Sequence, residues 1–297
     1  MTAARQRAPY LFLAPFLLLF VVFGAFPPLF AAALSLFAWD PASGYASARF
    51  VGLDNYVFAL TDPWFWQSFG NTLWLALAAG VPQHLVALPL AFWLHRRAGR
   101  VRHWLLGAYF LPFVTASVAV SLTFATLFAT DYGLVNQALQ RLTGLPLAPD
   151  WLHDPALLKP LVALVVFWRY VGWNTLLYVT ALQGVSPALF EAAALDGAGS
   201  WRQFRHVALP LLRPTILFAG TLSLIGGLQL FEEPFILTQD GRGGSGGAAA
   251  TTAIYLYRTA FDFGDFGSAA AMAWLLCVAI ALLGWAAHRA FRREEAP

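Results

Sequence analysis

Arg169 is the residue whose placement most invites a chemical reading. It stands about halfway along an apolar stretch, within Phe167-Trp168-Arg169-Tyr170-Val171-Gly172-Trp173-Asn174. A charge at the bilayer centre costs about 2.5–3.5 kcal/mol on insertion scales unless it is paired or wetted. Arg169 is therefore expected to face the interior of a helix bundle. Two roles stay open: a salt bridge to Glu232 or Glu233 that holds helices together, or a place in the wall of a passage. No enzyme site accompanies it. His84, His95, His103, His153, His206 and His288 are scattered, with no i, i+4 pair and no cysteine partner for a metal. The single cysteine, Cys277, excludes an intrachain disulfide and leaves the redox compartment open. The glycine-rich run from Gln239 to Ala250 lacks the G-x-x-x-x-G-K-[ST] pattern, and the only lysine is Lys159. That run is expected to be a flexible loop rather than a phosphate cradle. The chain therefore cannot hold ATP in the P-loop manner, and any ATP-driven work needs another polypeptide.

The elements that would position Arg169 follow from composition. Of 297 residues, 59% are hydrophobic and only 11% charged, where a soluble domain carries about a quarter charged. The chain is thus an integral membrane protein, and the high counts of 26 Phe and 12 Trp suit apolar spans with aromatic belts. No basic patch suits nucleic acid. A helix needs about 20 apolar residues to cross the hydrocarbon core. Six stretches qualify: roughly 10–38, 70–94, 103–128, 158–182, 212–238 and 268–288. The first is too long for a signal-peptide core and reads as a retained span, kinked at Pro27-Pro28. With the amino terminus inside, inner segments hold 12 Lys/Arg (among them Arg5, Arg7, Arg96, Arg97 and Arg202) against 5 outside, Arg169 apart. The positive-inside rule then places both termini in the cytoplasm.

Between the fourth and fifth stretches lies a polar interruption, Glu191-Ala192-Ala193-Ala194-Leu195-Asp196-Gly197-Ala198, followed by Ser200-Trp201-Arg202-Gln203 and Leu209-Pro210. Ser186 is expected to N-cap a helix with Pro187 at its first position. Gly197 should end that helix in a left-handed cap. Ser200 and Gln203 make the S-x-x-Q pattern of a capping box, expected to start a second short helix that Pro210 and Pro214 limit. The product is a helix-turn-helix knuckle on the cytoplasmic side, with Ala192, Ala193, Ala198 and Gly199 allowing a partner's backbone to come close.

This stretch resembles the EAA loop of ABC importer permeases, roughly E-A-A-x-x-D-G-A, a spacer and I-x-L-P, with Val207 here in place of the usual Ile. The resemblance extends over nearly the whole chain. It includes Phe50-Val-Gly-Leu-Asp-Asn-Tyr56, Asp62-Pro63-Trp64, Leu111-Pro112-Phe113, Asp131-Tyr-Gly-Leu-Val-Asn136, Phe231-Glu232 and Tyr255-Leu-Tyr257. It points to the carbohydrate importers of the maltose-transporter type, and to the first of their two permease subunits. The family's frequent Gly-Gly-Pro after Leu237-Thr238 is absent.

The resemblance implies an all-α protein of six transmembrane helices with a cytoplasmic coupling loop, in the inner membrane of a prokaryote. Residues 1–66 would form the first helix and outer loop, 67–288 the permease core and 289–297 a basic cytoplasmic tail. Glu191, Ala192, Ala193, Asp196, Gly197 and Ala198 would dock on an ATPase subunit. The sugar passage would be lined by Phe113 and Ser117, by Arg169, Tyr170 and Trp173, and by Ser223, Gly226, Gly227 and Leu230, where Leu230 takes a position often polar in the family. Aromatic faces there would stack on sugar C–H surfaces, while Arg and Ser bond hydroxyls. Gly226-Gly227 stays open as a close helix-packing point instead. Implied partners are a second, similar permease, two ATP-binding subunits that hold ATP and Mg, and an extracytoplasmic solute-binding protein. No cofactor is expected in this chain. A secondary transporter would instead show inverted repeats and a paired acidic site, and the acids cluster in loops. A phosphorylated polyol such as glycerol 3-phosphate is the alternative substrate that Arg169 keeps open.

Overall fold

The computed structural model describes residues 12–97 and 99–293. Arg5, Arg7, the start of the stretch expected at 10–38 and the tail residues 294–297 lie outside that range. Thirteen helices follow one another among the described residues: α1 (Phe12–Leu34), α2 (Asp54–Thr61), α3 (Pro63–His95), α4 (Arg100–Val114), α5 (Ser117–Leu127), α6 (Leu134–Thr143), α7 (Pro155–Gln183), α8 (Pro187–Leu195), α9 (Ser200–Leu211), α10 (Arg213–Leu228), α11 (Glu232–Leu237), α12 (Thr252–Phe261) and α13 (Phe266–Arg293). Two-residue strands β1 (Phe37–Ala38) and β2 (Arg49–Phe50) pair antiparallel, Phe37 opposite Phe50. The protein is all-α apart from that ladder.

Four helices, α1, α3, α7 and the apolar part of α13, are long and apolar enough to cross a membrane, and six spans result if two bent pairs each count as one. The stretch expected as the third span, 103–128, falls on one of those pairs. It breaks at Thr115-Ala116, and α4 and α5 diverge by 94°. The stretch 212–238 likewise divides, α10 ending at Leu228 before the short α11. Pro27-Pro28 does not interrupt α1, because a π-helical turn over Phe20–Ala25 lets the Phe26 amide reach back to the Val21 carbonyl.

The described residues form two compact units: those of Met1–Trp66 with Leu256–Val278, and those of Gln67–Tyr255 with Ala279–Pro297. In the first, Asn55 is the peg. Its amide nitrogen donates to the carbonyls of Ser35 (2.8 Å) and Phe37 (3.0 Å), and its oxygen accepts from Ser268 at 3.4 Å. In the second, α3, α7 and α10 carry the core. One cluster joins Leu75 and Ala79 to Leu158, Leu161, Val162 and Val165. A second joins Ala87, Ala91 and Leu94 to Tyr178, Val179 and Leu182, and anchors Phe204, Ala208 and Leu212 of the following segment.

The glycine-rich loop departs from expectation. It is not a free tether but is held by two side chains from distant sequence, one of them braced by a third. Asn71 Nδ2 donates to the carbonyls of Gly247 (2.9 Å) and Ala250 (3.0 Å), Lys159 Nζ donates to Asn71 Oδ1 at 2.7 Å, and Gln67 donates to the Gly246 carbonyl at 2.8 Å. Its glycines make close packing possible: a Cβ on Gly243 would fall 2.3 Å from the Ala250 nitrogen.

Candidate functional site

Gly172 lets α4 lie against α7, since a Cβ there would sit 1.7 Å from the Tyr109 carbonyl oxygen. That approach brings Phe113 onto Trp173, stacked at 4.6 Å between centroids, and edge-on to Tyr170 at 5.6 Å. The result is an aromatic shelf in mid-helix. Tyr170 and Trp173 in turn border a cavity of about 100 Å³. Helix α3 contributes Leu75, Ala76, Ala79, Gly80 and Gln83, one stripe at helical spacing, and α10 with its C-terminal extension contributes Leu222, Ser223, Gly226, Gly227 and Leu230.

Of the nine residues expected to line a passage, six line this cavity: Tyr170, Trp173, Ser223, Gly226, Gly227 and Leu230. Phe113 supports it from behind the shelf. The two glycines divide the roles left open for them. Gly227 is a packing point, where a Cβ would come within 2.8 Å of the Ala76 Cβ, whereas Gly226 faces open space.

Arg169 and Ser117 belong to a neighbouring polar cluster. Arg169 Nη1 donates to Glu233 Oε1 at 2.6 Å, the two side chains being 12% and 4% exposed. Its Nη2 donates to the Thr115 carbonyl at 3.3 Å, at the break between α4 and α5. Ser117 donates to Glu232. Both glutamates occupy the first turn of α11, where the helix dipole favours negative charge. The acids at 232 and 233 are thus helix residues, one of them buried on an arginine. This cluster ties the break after Val114 to the break after Leu228.

The second candidate surface is the knuckle. Helix α8 begins at Pro187 after Ser186, whose side chain makes no capping bond. It ends as expected: Gly197 takes φ +78°, its amide donates to Ala194 O (3.0 Å), and the Ala198 amide donates to Ala193 O (2.8 Å). That pair of bonds is a Schellman cap. The capping box does not form. Gly199 is the N-cap of α9, and Gln203 Nε2 turns back to the Ala198 carbonyl at 2.8 Å. Arg96 at the end of α3 takes up Ser200 Oγ (2.9 Å) and Gln203 Oε1 (3.1 Å). Arg96 claims the side chains that a capping box would need. Nor does Pro210 stop α9. A π-helical turn over Phe204–Ala208 carries the helix through to Leu211, and the chain bends by 72° only before Arg213.

Glu191, Ala192, Asp196 and Gly197 are exposed, and Ala193 and Ala198 half-buried. Beside them Leu195 is 90% exposed and Trp201 66%. Sequence reasoning missed these two, although Leu195 sits within the motif. Beneath α8 a cavity of about 330 Å³ is lined by Phe92 and His95 of α3 and by Arg96 just past its end, with Pro187, Phe190, Glu191, Ala194 and Gln203. Gln83, which lines the first cavity, was missed as well.

A family model described as the binding-protein-dependent transport system inner membrane component matches residues 85–294. The lactose transport system permease protein LacF of Rhizobium radiobacter is 34% identical over 288 residues, 96% of this chain and 94% of that one. The arabinooligosaccharides transport system permease protein AraP of Bacillus subtilis (strain 168) is 32% identical over 278 residues, 93% of this chain and 86% of that one. Among solved structures, a chain of a bacterial ABC transporter involved in the import of the acidic polysaccharide alginate superposes with a TM-score of 0.83. It shares 23% identity, with 98% of this chain and 96% of that one covered.

Proposed function

The chain belongs to the family of binding-protein-dependent transport system inner membrane components, and from that premise we propose that it is a permease subunit of an ATP-driven saccharide importer. Family membership removes the lone secondary transporter. The carrying observation is that one helix, α7, bears the aromatic shelf at its middle and runs at its end into the exposed, Schellman-capped α8. A push on α8 is therefore transmitted to Tyr170 and Trp173 through about three turns of continuous helix.

In this reading both termini are cytoplasmic and the knuckle docks on one of two ATP-binding subunits. Those subunits hold ATP and Mg and carry out hydrolysis, and this chain holds no cofactor. A second, similar permease supplies the facing wall of the passage, and a solute-binding protein delivers substrate from outside. Glu191 and Asp196 offer charge, and Leu195 and Trp201 the apolar anchors that docking surfaces place at their centre. The cavity of about 100 Å³ is smaller than the roughly 300–1,000 Å³ of ligand pockets. Passage of a sugar then requires the helices to part, as alternating access demands.

A saccharide is favoured because the cavity offers aromatic faces and neutral polar groups. Its lining includes no Arg, Lys or His, and the charge of Arg169 is spent on Glu233, so the motive for a phosphorylated polyol falls away. The names of the relatives, lactose and arabinooligosaccharide permeases, support the same class. The test is uptake of radiolabelled lactose and arabinooligosaccharides into proteoliposomes holding the complete complex, ATP and binding protein. ATP-dependent accumulation of a saccharide is expected. Accumulation of glycerol 3-phosphate alone would overturn the substrate class.

A further inference from the structure

We infer that Gln83, on α3, is a wall residue of the passage that bonds substrate hydroxyls as they leave the aromatic shelf; this rests on the saccharide reading above. Gln83 is 3% exposed, and it is the only amide among the residues lining the cavity with Tyr170, Trp173 and Ser223. Its Oε1 accepts from Asn174 Nδ2 at 3.1 Å, and its Nε2 donates to the Val166 carbonyl at 3.4 Å. The second bond is long, and Val166 lies inside α7, where its carbonyl also serves the helix ladder. A primary amide has two N–H donors and two lone pairs, so Gln83 retains bonding capacity beyond these partners. Asn174, itself 1% exposed, also donates toward Ser223 Oγ at 3.5 Å. Side chains from three helices thus make a neutral polar row beside the shelf.

Such a row is costly as mere packing material. A buried amide with weak or missing partners is destabilising, and the buried positions one and two turns away on the same face of the helix are Ala79, Ala87 and Ala91. Its chemistry suits exchange instead. Amides and hydroxyls both donate and accept, so the row can trade its mutual bonds for sugar hydroxyls without stranding a buried group. A charged residue in the same place would hold its partner too tightly to release it. A site built this way also discriminates against analogues that lack the hydroxyl, because its own groups are then left unpaired.

The experiment uses the complete complex with Cys277→Ala in this chain, so that Gln83→Cys or Ser223→Cys is its only thiol. A small charged methanethiosulfonate present on both faces during ATP turnover should label both positions, and labelling should fall several-fold in the resting complex. The second arm compares Gln83→Leu with wild type, using whichever of lactose or arabinooligosaccharide the wild-type complex carries. Because the binding protein captures the sugar, the loss should appear as saccharide delivered per ATP. We expect a drop on the order of tenfold, the worth of one neutral hydrogen bond, in a complex that stays assembled. Absence of labelling at Gln83→Cys in every state while Ser223→Cys reacts would overturn the inference. Unchanged saccharide per ATP beside a lowered melting temperature would do the same, since that is how a brace behaves. If neither saccharide is carried, the saccharide reading fails, and the labelling pattern still decides whether Gln83 lines the passage.

Discussion

Arg169 and Glu233 neutralise one another at 2.6 Å, and both are largely buried. Removing one partner of a buried pair strands the other charge and costs about 3–5 kcal/mol. We predict that Arg169→Ala lowers the melting temperature of the detergent-solubilised complex markedly, and that adding Glu233→Gln recovers most of the loss. An unchanged melting temperature for Arg169→Ala would contradict the pairing. The glycine pair gives a second test at this scale. Gly227→Ala drives a methyl to within 2.8 Å of the Ala76 Cβ, whereas Gly226→Ala meets nothing within 4 Å. Overpacking of this kind costs about 1–3 kcal/mol. Gly227→Ala should therefore destabilise the complex, while Gly226→Ala leaves thermal stability near wild type. Equal effects of the two single changes would place the α3–α10 contact elsewhere.

The elements divide by how local their causes are. The cap of α8 is legible in the sequence because a Schellman turn is written in a few adjacent residues, Ala193 to Ala198, and only Gly197 fits φ +78° cheaply. The cavity-lining pair on α7, Tyr170 and Trp173, is reached differently, through the family resemblance and its register from the EAA-like loop rather than through local pattern. The 94° break at Thr115-Ala116 is not. A hydropathy window measures how long an apolar run is, not where it points, and neither Thr nor Ala marks a turn. The order of the glycine-rich loop is hidden as well, because its anchors Asn71 and Lys159 are remote in sequence. The helix through Pro210 depends on a π turn that the local pattern does not announce. Gln83 is hidden too, because Asn174 and Ser223, which stand beside it, are remote in sequence. For the loop, Asn71→Ala removes three hydrogen bonds at once. Amide hydrogen exchange across residues 243–250 should accelerate in that variant, while exchange in α7 and α8 stays as in wild type. Unchanged exchange in the loop would mean that its glycine packing suffices without Asn71.

For the whole molecule, the proposed orientation makes a prediction that does not depend on the sugar. In a Cys277→Ala background, cysteines at Arg141 or Gly246 should react with an impermeant thiol reagent applied from outside, and cysteines at Arg97 or Trp201 should not. Gly246 is exposed and a side chain there meets nothing within 4 Å, at the cost of backbone strain from its φ of +62°. The reverse pattern would put the knuckle on the wrong side for an ATPase. The central claim is that α8 passes the work of hydrolysis to the passage through α7. It is tested most directly by measuring ATP hydrolysis of the reconstituted complex against increasing saccharide-loaded binding protein, wild type beside Glu191→Lys. Glu191 is exposed on α8, and an exposed substitution normally changes stability by no more than about 0.5 kcal/mol. The account predicts that the variant complex stays assembled, with an unchanged melting temperature, and loses most of the stimulation. Full stimulation in an assembled Glu191→Lys complex would contradict it.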